Sequence, residues 1–139
     1  VGNKREYDQV RVGDRSTFSK TIGEADIFAF CGLAGDFNPI HVDEAFAVHT
    51  RWGGRIAHGM LVASLVTPTL SAVLGDGAVH VSQQVSFEAP VRIGDTVTVS
   101  SEIVEKIEEK RRVIVASEWT NQEGAVVIKG QAELLLPRA

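Results

Sequence analysis

Cysteine, methionine and tyrosine occur once each in this sequence of 139 residues, and proline only four times. The lone thiol, Cys31, excludes an intramolecular disulfide and any thiolate-rich metal site. It lies in the helical pattern Ile27, Phe28, Phe30, Cys31, Leu33 and is expected in the core. A basic surplus is missing too. Lys and Arg number 14 against 18 Asp and Glu, a net charge of −4, which argues against a nucleic-acid binder. No apolar run approaches the roughly 20 residues of a membrane span. The start, Val1 to Glu6, carries charge without an apolar stretch, so no signal-peptide pattern is visible and a cytoplasmic setting is expected. There is no internal repeat and no low-complexity segment. What the chain does have is 44% hydrophobic and 23% charged residues, enough for one domain over 1–139 with a core that needs no disulfides.

The first half reads as helical and the second as strands, an α+β pattern. Residues 14–20 suggest a first strand. Thr21 and Glu24 fit a capping box for a helix over about 22–34 that ends at Gly35. Residues 36–58 read mostly as loop, with a short helix at 43–49 begun by Asp43 and Glu44. A long helix over 59–74 is apolar nearly all round, which predicts burial. Pro68 predicts a kink in it, with Ser64, Thr67 or Thr69 taking up the freed carbonyl. Alternation predicts strands over 79–87 and 97–107, then two more at 111–121 and 125–136 around the turn Asn121-Gln122-Glu123-Gly124. Short turns make the last three an antiparallel meander. The sheet then curls around the long helix, the early strand adds at an edge, and dimerisation is a common way to cover what remains.

Chemistry concentrates in Gly35-Asp36-Phe37-Asn38-Pro39-Ile40-His41-Val42-Asp43 and in His58-Gly59-Met60-Leu61. If Asp36 and His41 converge, one water within reach of both can be oriented and deprotonated. Gly59, with no side chain, lets a ligand oxygen approach its N–H closely. A thioester carbonyl there would have its enolate stabilised. That suits addition or removal of water at a carbon β to an acyl carbonyl. Each residue also has a plainer reading. Asp36, Asn38 and Pro39 are turn formers, and Asp43 is a helix cap. His49, His58 and His80 read as structural or surface residues. Ser64 is either bonded to its own helix or a donor toward Asp36. Arg51 and Arg55 are either solvated or met by phosphate groups. No metal-ligand spacing is present among the histidines.

Taken jointly, residues 35–43, Ala45-Phe46-Ala47, His58 to Ser64 and Val85 to Val97 resemble the MaoC-type hotdog hydratases, closest to the (R)-specific enoyl-CoA hydratases. The resemblance runs over about 12–136. It implies a hotdog fold: a long central helix wrapped by a curved antiparallel sheet, with a helical overhang carrying the active site, paired as a homodimer. It implies Asp36 and His41 as the catalytic pair, the Gly59 N–H on the thioester oxygen, and support from Asn38 and Ser64. Arg55 and Met60 are the expected substrate contacts. The implied product is an (R)-3-hydroxyacyl-CoA. CoA is part of the substrate, and no metal or redox cofactor is implied. Two alternatives stand beside it. One is a hydratase for another unsaturated acyl-CoA or an acyl-carrier-protein thioester. The other is a non-catalytic acyl-binding subunit. A thioesterase on this fold fits less well, because residues 59–74 offer no acid or base.

Overall fold

The computed structural model describes residues 5–138, so the charged start at Val1 to Lys4 and the final Ala139 lie outside the described residues. Alternation in the second half sets the architecture. Strands β1 (Arg15–Thr21), β2 (Val79–Phe87), β3 (Thr96–Ile107), β4 (Arg112–Thr120) and β5 (Val126–Leu135) form one antiparallel sheet in the order β1-β3-β4-β5-β2. The meander β3-β4-β5 and the edge position of β1 follow the sequence reading. In β3, Val97, Val99, Ser101 and Ile103 point inward, opposite Trp119, Ser117 and Val115 of β4. A register shift after Ile103 ends that alternation and leaves Val104 exposed.

The long helix is two helices rather than one kinked rod. α4 (Gly59–Ser64) and α5 (Thr67–Leu74) are separated at Leu65 and Val66, and Pro68 lies in the first turn of α5. Proline has no N–H for the Ser64 carbonyl four residues back, and the Thr67 hydroxyl donates to that carbonyl instead at 3.0 Å. Burial is one-sided. Val62, Val66, Leu70, Val73 and Leu74 face the sheet, whereas Met60, Ser64, Thr67 and Ser71 are exposed, which corrects the expectation of burial all round. Trp119 fixes the helix to the sheet: its indole Nε1 donates to the Val62 carbonyl at 2.9 Å, fully buried. Below α5, the Thr69 hydroxyl donates to Val66 O at 2.5 Å and lies 2.7 Å from Ser101 Oγ, which lies 2.7 Å from Ser117 Oγ. Three buried hydroxyls therefore join α5, β3 and β4.

α1 (Glu24–Ala34) begins two residues later than predicted. Gly23 is its N-cap, and Asp26 Oδ2 accepts from the Gly23 N–H at 2.8 Å. This corrects the Thr21–Glu24 capping box. Thr21 belongs to β1 and bonds Thr96 across the sheet, and Glu24 is engaged elsewhere. Only Ile27 and Cys31 of α1 are fully buried. Gly35 ends the helix at φ 78°, donating its N–H to Cys31 O at 2.8 Å, a left-handed cap that glycine adopts without strain. No helix among the described residues is long and apolar enough to cross a membrane.

Candidate active site

Asp36 is the first residue after the Gly35 cap. Its Oδ1 accepts from the Asn38 N–H at 3.1 Å, a local turn that fixes the carboxylate. Asn38 then caps a one-turn helix absent from the sequence reading, α2 (Pro39–Val42), with Oδ1 accepting from Ile40 N at 3.2 Å. Pro39 suits its first position because the missing N–H would be unpaired there. This turn carries His41 inward, where it is buried. Asp43 caps α3 (Glu44–Ala47) through Phe46 N at 3.2 Å, as its plainer reading predicts.

His41 Nδ1 lies 2.8 Å from Ile56 O. A carbonyl only accepts, so Nδ1 holds the proton and Nε2 presents its lone pair. That lone pair lies 3.9 Å from Asp36 Oδ2. The distance is too long for a direct hydrogen bond and short enough for both atoms to meet one water. Burial holds the His41 imidazole below the ordinary histidine range, and His58 pushes the same way. The Ile56 carbonyl and the Asp36 carboxylate oppose them. The net shift favours the neutral imidazole.

The loop after α3 is held by two arginines. Arg55 Nε donates to His41 O at 2.7 Å, and its terminal nitrogens reach Glu24 at 2.6 and 3.2 Å. Arg92 donates to the carbonyls of Trp52 and Gly54. Arg55 is therefore not a free solvated charge. It ties the segment carrying His41 to the start of α1. Ser64 is exposed, and its hydroxyl donates to Leu61 O at 2.6 Å. Within this chain the predicted support of Asp36 by Ser64 is not made, because the hydroxyl is taken by its own helix.

His58, read from the sequence as a structural or surface residue, lies in the interior. It is 2% exposed and stands at the N-cap of α4. Its ring stacks on His41 with centroids 3.9 Å apart and planes at 30°, and its Nε2 lies 3.0 Å from Asp36 O. Nothing in the spacing of a lone histidine 22 residues from Asp36 signals this. Asp36, His41 and His58 stand close enough to suggest a three-ligand metal site. Stacked rings, however, send their in-plane lone pairs side by side rather than toward one point.

Gly59 follows as the first residue of α4, where an N–H has no helical carbonyl to meet. A Cβ at Gly59 would lie 2.7 Å from Phe87 Cε1, so the ring of β2's last residue would have to move to admit any side chain here. Two adjoining hollows meet at His41, Gly59 and Met60. One of about 490 Å³ is lined by apolar groups including Ile56, Val62, Val91 and Ile128, with Arg51 stacked over Trp52 at 4.3 Å. The other, about 360 Å³, holds Asp36, His41 and His58. Met60 is 62% exposed and lines both. A carboxylate, a neutral imidazole lone pair and a backbone donor thus converge beside an apolar cleft.

The sequence pattern of the MaoC like domain matches residues 7–124. The chain belongs to the MaoC-like dehydratase family. It is 42% identical over 132 residues to an (R)-specific enoyl-CoA hydratase of Rhodospirillum rubrum, covering 94% of this chain and 91% of that one. It is 41% identical over 133 residues to a 3-hydroxybutyryl-CoA dehydratase of Methylorubrum extorquens, covering 95% and 84%. Both relatives are hydro-lyases. In three dimensions it resembles an R-hydratase of Pseudomonas aeruginosa in the unliganded form, with a TM-score of 0.89 at 36% identity over 100% of this chain and 89% of that one. The fold of this MaoC-like protein is accordingly the hotdog.

Proposed function

We propose that this hydro-lyase adds water to trans-2-enoyl-CoA, giving (R)-3-hydroxyacyl-CoA, and catalyses the reverse dehydration. The observation that carries this reading is the convergence of Asp36 Oδ2 and the His41 Nε2 lone pair at 3.9 Å beside the Gly59 N–H. A water held by the pair bonds through its oxygen to C3. The C2–C3 π electrons move toward C2 and the thioester carbonyl, whose growing negative charge meets the Gly59 N–H. The water gives one proton to the Asp36–His41 pair, and a proton passes from the pair to C2. The product has gained one whole water. No metal or redox cofactor is assigned, and CoA enters as part of the substrate. The apolar cleft beside Gly59 receives the acyl chain, with Met60 at its edge. We place the enzyme in the cytoplasm with that substrate.

A homodimer is proposed on the sheet edge. β2 hydrogen-bonds only β5 and exposes Val79, Val81 and Phe87. An apolar edge of this kind is normally covered. Light scattering that gives twice the chain mass supports the pairing, and a monomer at working concentration refutes it.

Hydration of crotonyl-CoA, followed by loss of enoyl-thioester absorbance with chiral analysis of the product, tests the reaction. Turnover to the (R) product that disappears in Asp36→Asn supports it. Wild-type protein inert toward short, long, branched and carrier-bound enoyl thioesters would instead favour an acyl-binding subunit.

A further inference from the structure

We propose that His58 is a positioning residue for the water-activating pair, holding the Asp36 main chain by a hydrogen bond and the His41 ring by stacking. The inference rests on the hydratase reading above for its kinetic consequence, though not for its geometry.

Two separate contacts leave one imidazole. Its Nε2 lies 3.0 Å from the Asp36 carbonyl, which only accepts, so Nε2 carries a proton. Asp36 sits in a turn after a helix end, where its side chain is half exposed and its Oδ1 bond to Asn38 N is purely local. The His58 bond fixes that backbone from a different part of the fold, the start of α4. The same ring covers one face of His41 at 3.9 Å. Phe30 lies on His58 at 4.8 Å, and Cys31 Sγ is 3.6 Å from Nε2. α1 thereby packs against the ring through Phe30 and Cys31.

The far nitrogen supports the assignment. Nδ1 is buried and meets no hydrogen-bond partner among the described residues. A buried polar atom without a partner costs stability, and an apolar side chain would fill this place better if packing alone mattered. The position instead holds a ring with a donor at Nε2. Among the described residues, the ionisable groups bonded or stacked against His41 are Asp36, His58 and Arg55, with Glu24 behind Arg55 and the Cys31 thiol behind His58, while Arg51 and Glu88 line the same cleft. Of these, only His58 touches both members of the pair.

Two substitutions separate the contacts. His58→Phe keeps a ring and removes the donor. His58→Gln keeps an N–H near the Nε2 position and removes the ring. The first readout is long-range 1H–15N imidazole NMR of the labelled protein without substrate. Wild type is expected to show His58 protonated at Nε2 and His41 at Nδ1. An Nδ1–H tautomer of His58 would overturn the proposal without any variant, since Nε2 would have no proton to donate. In His58→Gln the His41 titration should move up toward the ordinary histidine value, as one face of the ring is hydrated. The second readout is crotonyl-CoA hydration per folded molecule, with folding checked by thermal unfolding. His58→Phe should lower kcat about ten-fold or more, the loss of one hydrogen bond to the Asp36 backbone, with KM within about two-fold. His58→Gln should recover part of that kcat and shift the acid limb of kcat/KM with the His41 titration. If both variants keep the wild-type kcat and an unmoved His41 titration, the proposal fails. The NMR arm stands even if crotonyl-CoA is not turned over, so failure of the hydratase reading is told apart from failure of this one.

Discussion

The sheet with its helices and the segment from Asp36 to His58 are held by different forces. In the first, Val97, Val99, Ile103, Val115, Trp119 and Val127 are packed to near-zero exposure, and position follows from burial. In the second, Ala47, Ala57, His41 and His58 are the buried anchors. The rest is fixed by directed bonds: Asn38 and Asp43 cap single turns, Arg55 holds the His41 carbonyl, and Arg92 holds the carbonyls of Trp52 and Gly54. Burial tolerates small displacement, because apolar contact has no preferred direction. Water activation does not, because a proton acceptor even 1 Å out of place loses much of its effect. The molecule builds its stability with the first kind of force and its geometry with the second.

Substitutions should split accordingly. Asp36→Asn is expected to lower kcat for crotonyl-CoA hydration by about 10²–10⁴-fold, with thermal stability close to wild type because the carboxylate is half exposed. Steady-state kinetics with a melting curve checks both halves, and retained turnover would remove Asp36 from the mechanism. Ile103→Ala does the opposite. It should cost about 2–5 kcal/mol in denaturant unfolding while activity per folded molecule stays near wild type. A large loss of kcat there would mean that core packing sets the site's geometry directly, and the division would collapse.

Arg55→Met sharpens the contrast. It keeps the long stem and removes the bonds to His41 O and Glu24. We expect about 1–2 kcal/mol of stability lost, with the Glu24 end discounted for its exposure, and roughly ten-fold in kcat. A change in KM alone would return Arg55 to a role in substrate binding. The smallest effect is one of pH. Burial disfavours protonated His41, and the neutral ring is the one that accepts a proton from water. The acid limb of kcat/KM should therefore lie below the ordinary histidine value of about 6.5. Stability follows the same sign. The His41 contribution is complete above that value and is lost as pH falls through the lowered folded value, because the unfolded chain binds the proton first. A limb above 6.5 would assign the titration to another group.

The same contrast explains what the sequence revealed. Alternation located the β3-β4-β5 meander to within a residue or two, because inward residues repeat by two wherever one face is buried. It also marked Val79, Val81 and Phe87 as one face of β2. It did not reveal that they stay exposed among the described residues, nor that β2 pairs with β5, since pairing depends on distant strands. Pro68 announced a disturbance, but the break fell at Leu65 and Val66, one turn earlier. At the start of α1 the expected Thr21–Glu24 capping box gave way to a single bond from the Gly23 N–H to Asp26. Glu24 was drawn away to Arg55, 31 residues on, and local pattern has no view of such a partner. In the candidate site, Asp36, His41 and Gly59 stood out in the sequence as a joint pattern, and the structure brings them to one hollow. The bonds of Arg55 and His58 to the backbone carbonyls of His41 and Asp36 were not legible, because a carbonyl belongs to every residue alike.

The buried hydroxyls of Thr69, Ser101 and Ser117 have a consequence for the ancestry of this chain. Thr69 directs its hydrogen to Val66 O, so it can only accept from Ser101, and Ser101 in turn can only accept from Ser117. The arrows run one way and end at the gap between the two helices. Deleting one hydroxyl strands its neighbour in an apolar interior, whereas exchanging all three for apolar residues of like size leaves nothing stranded. Single steps are therefore more harmful than the completed triple. Descendants of such a chain would keep or lose these three positions as one inherited character.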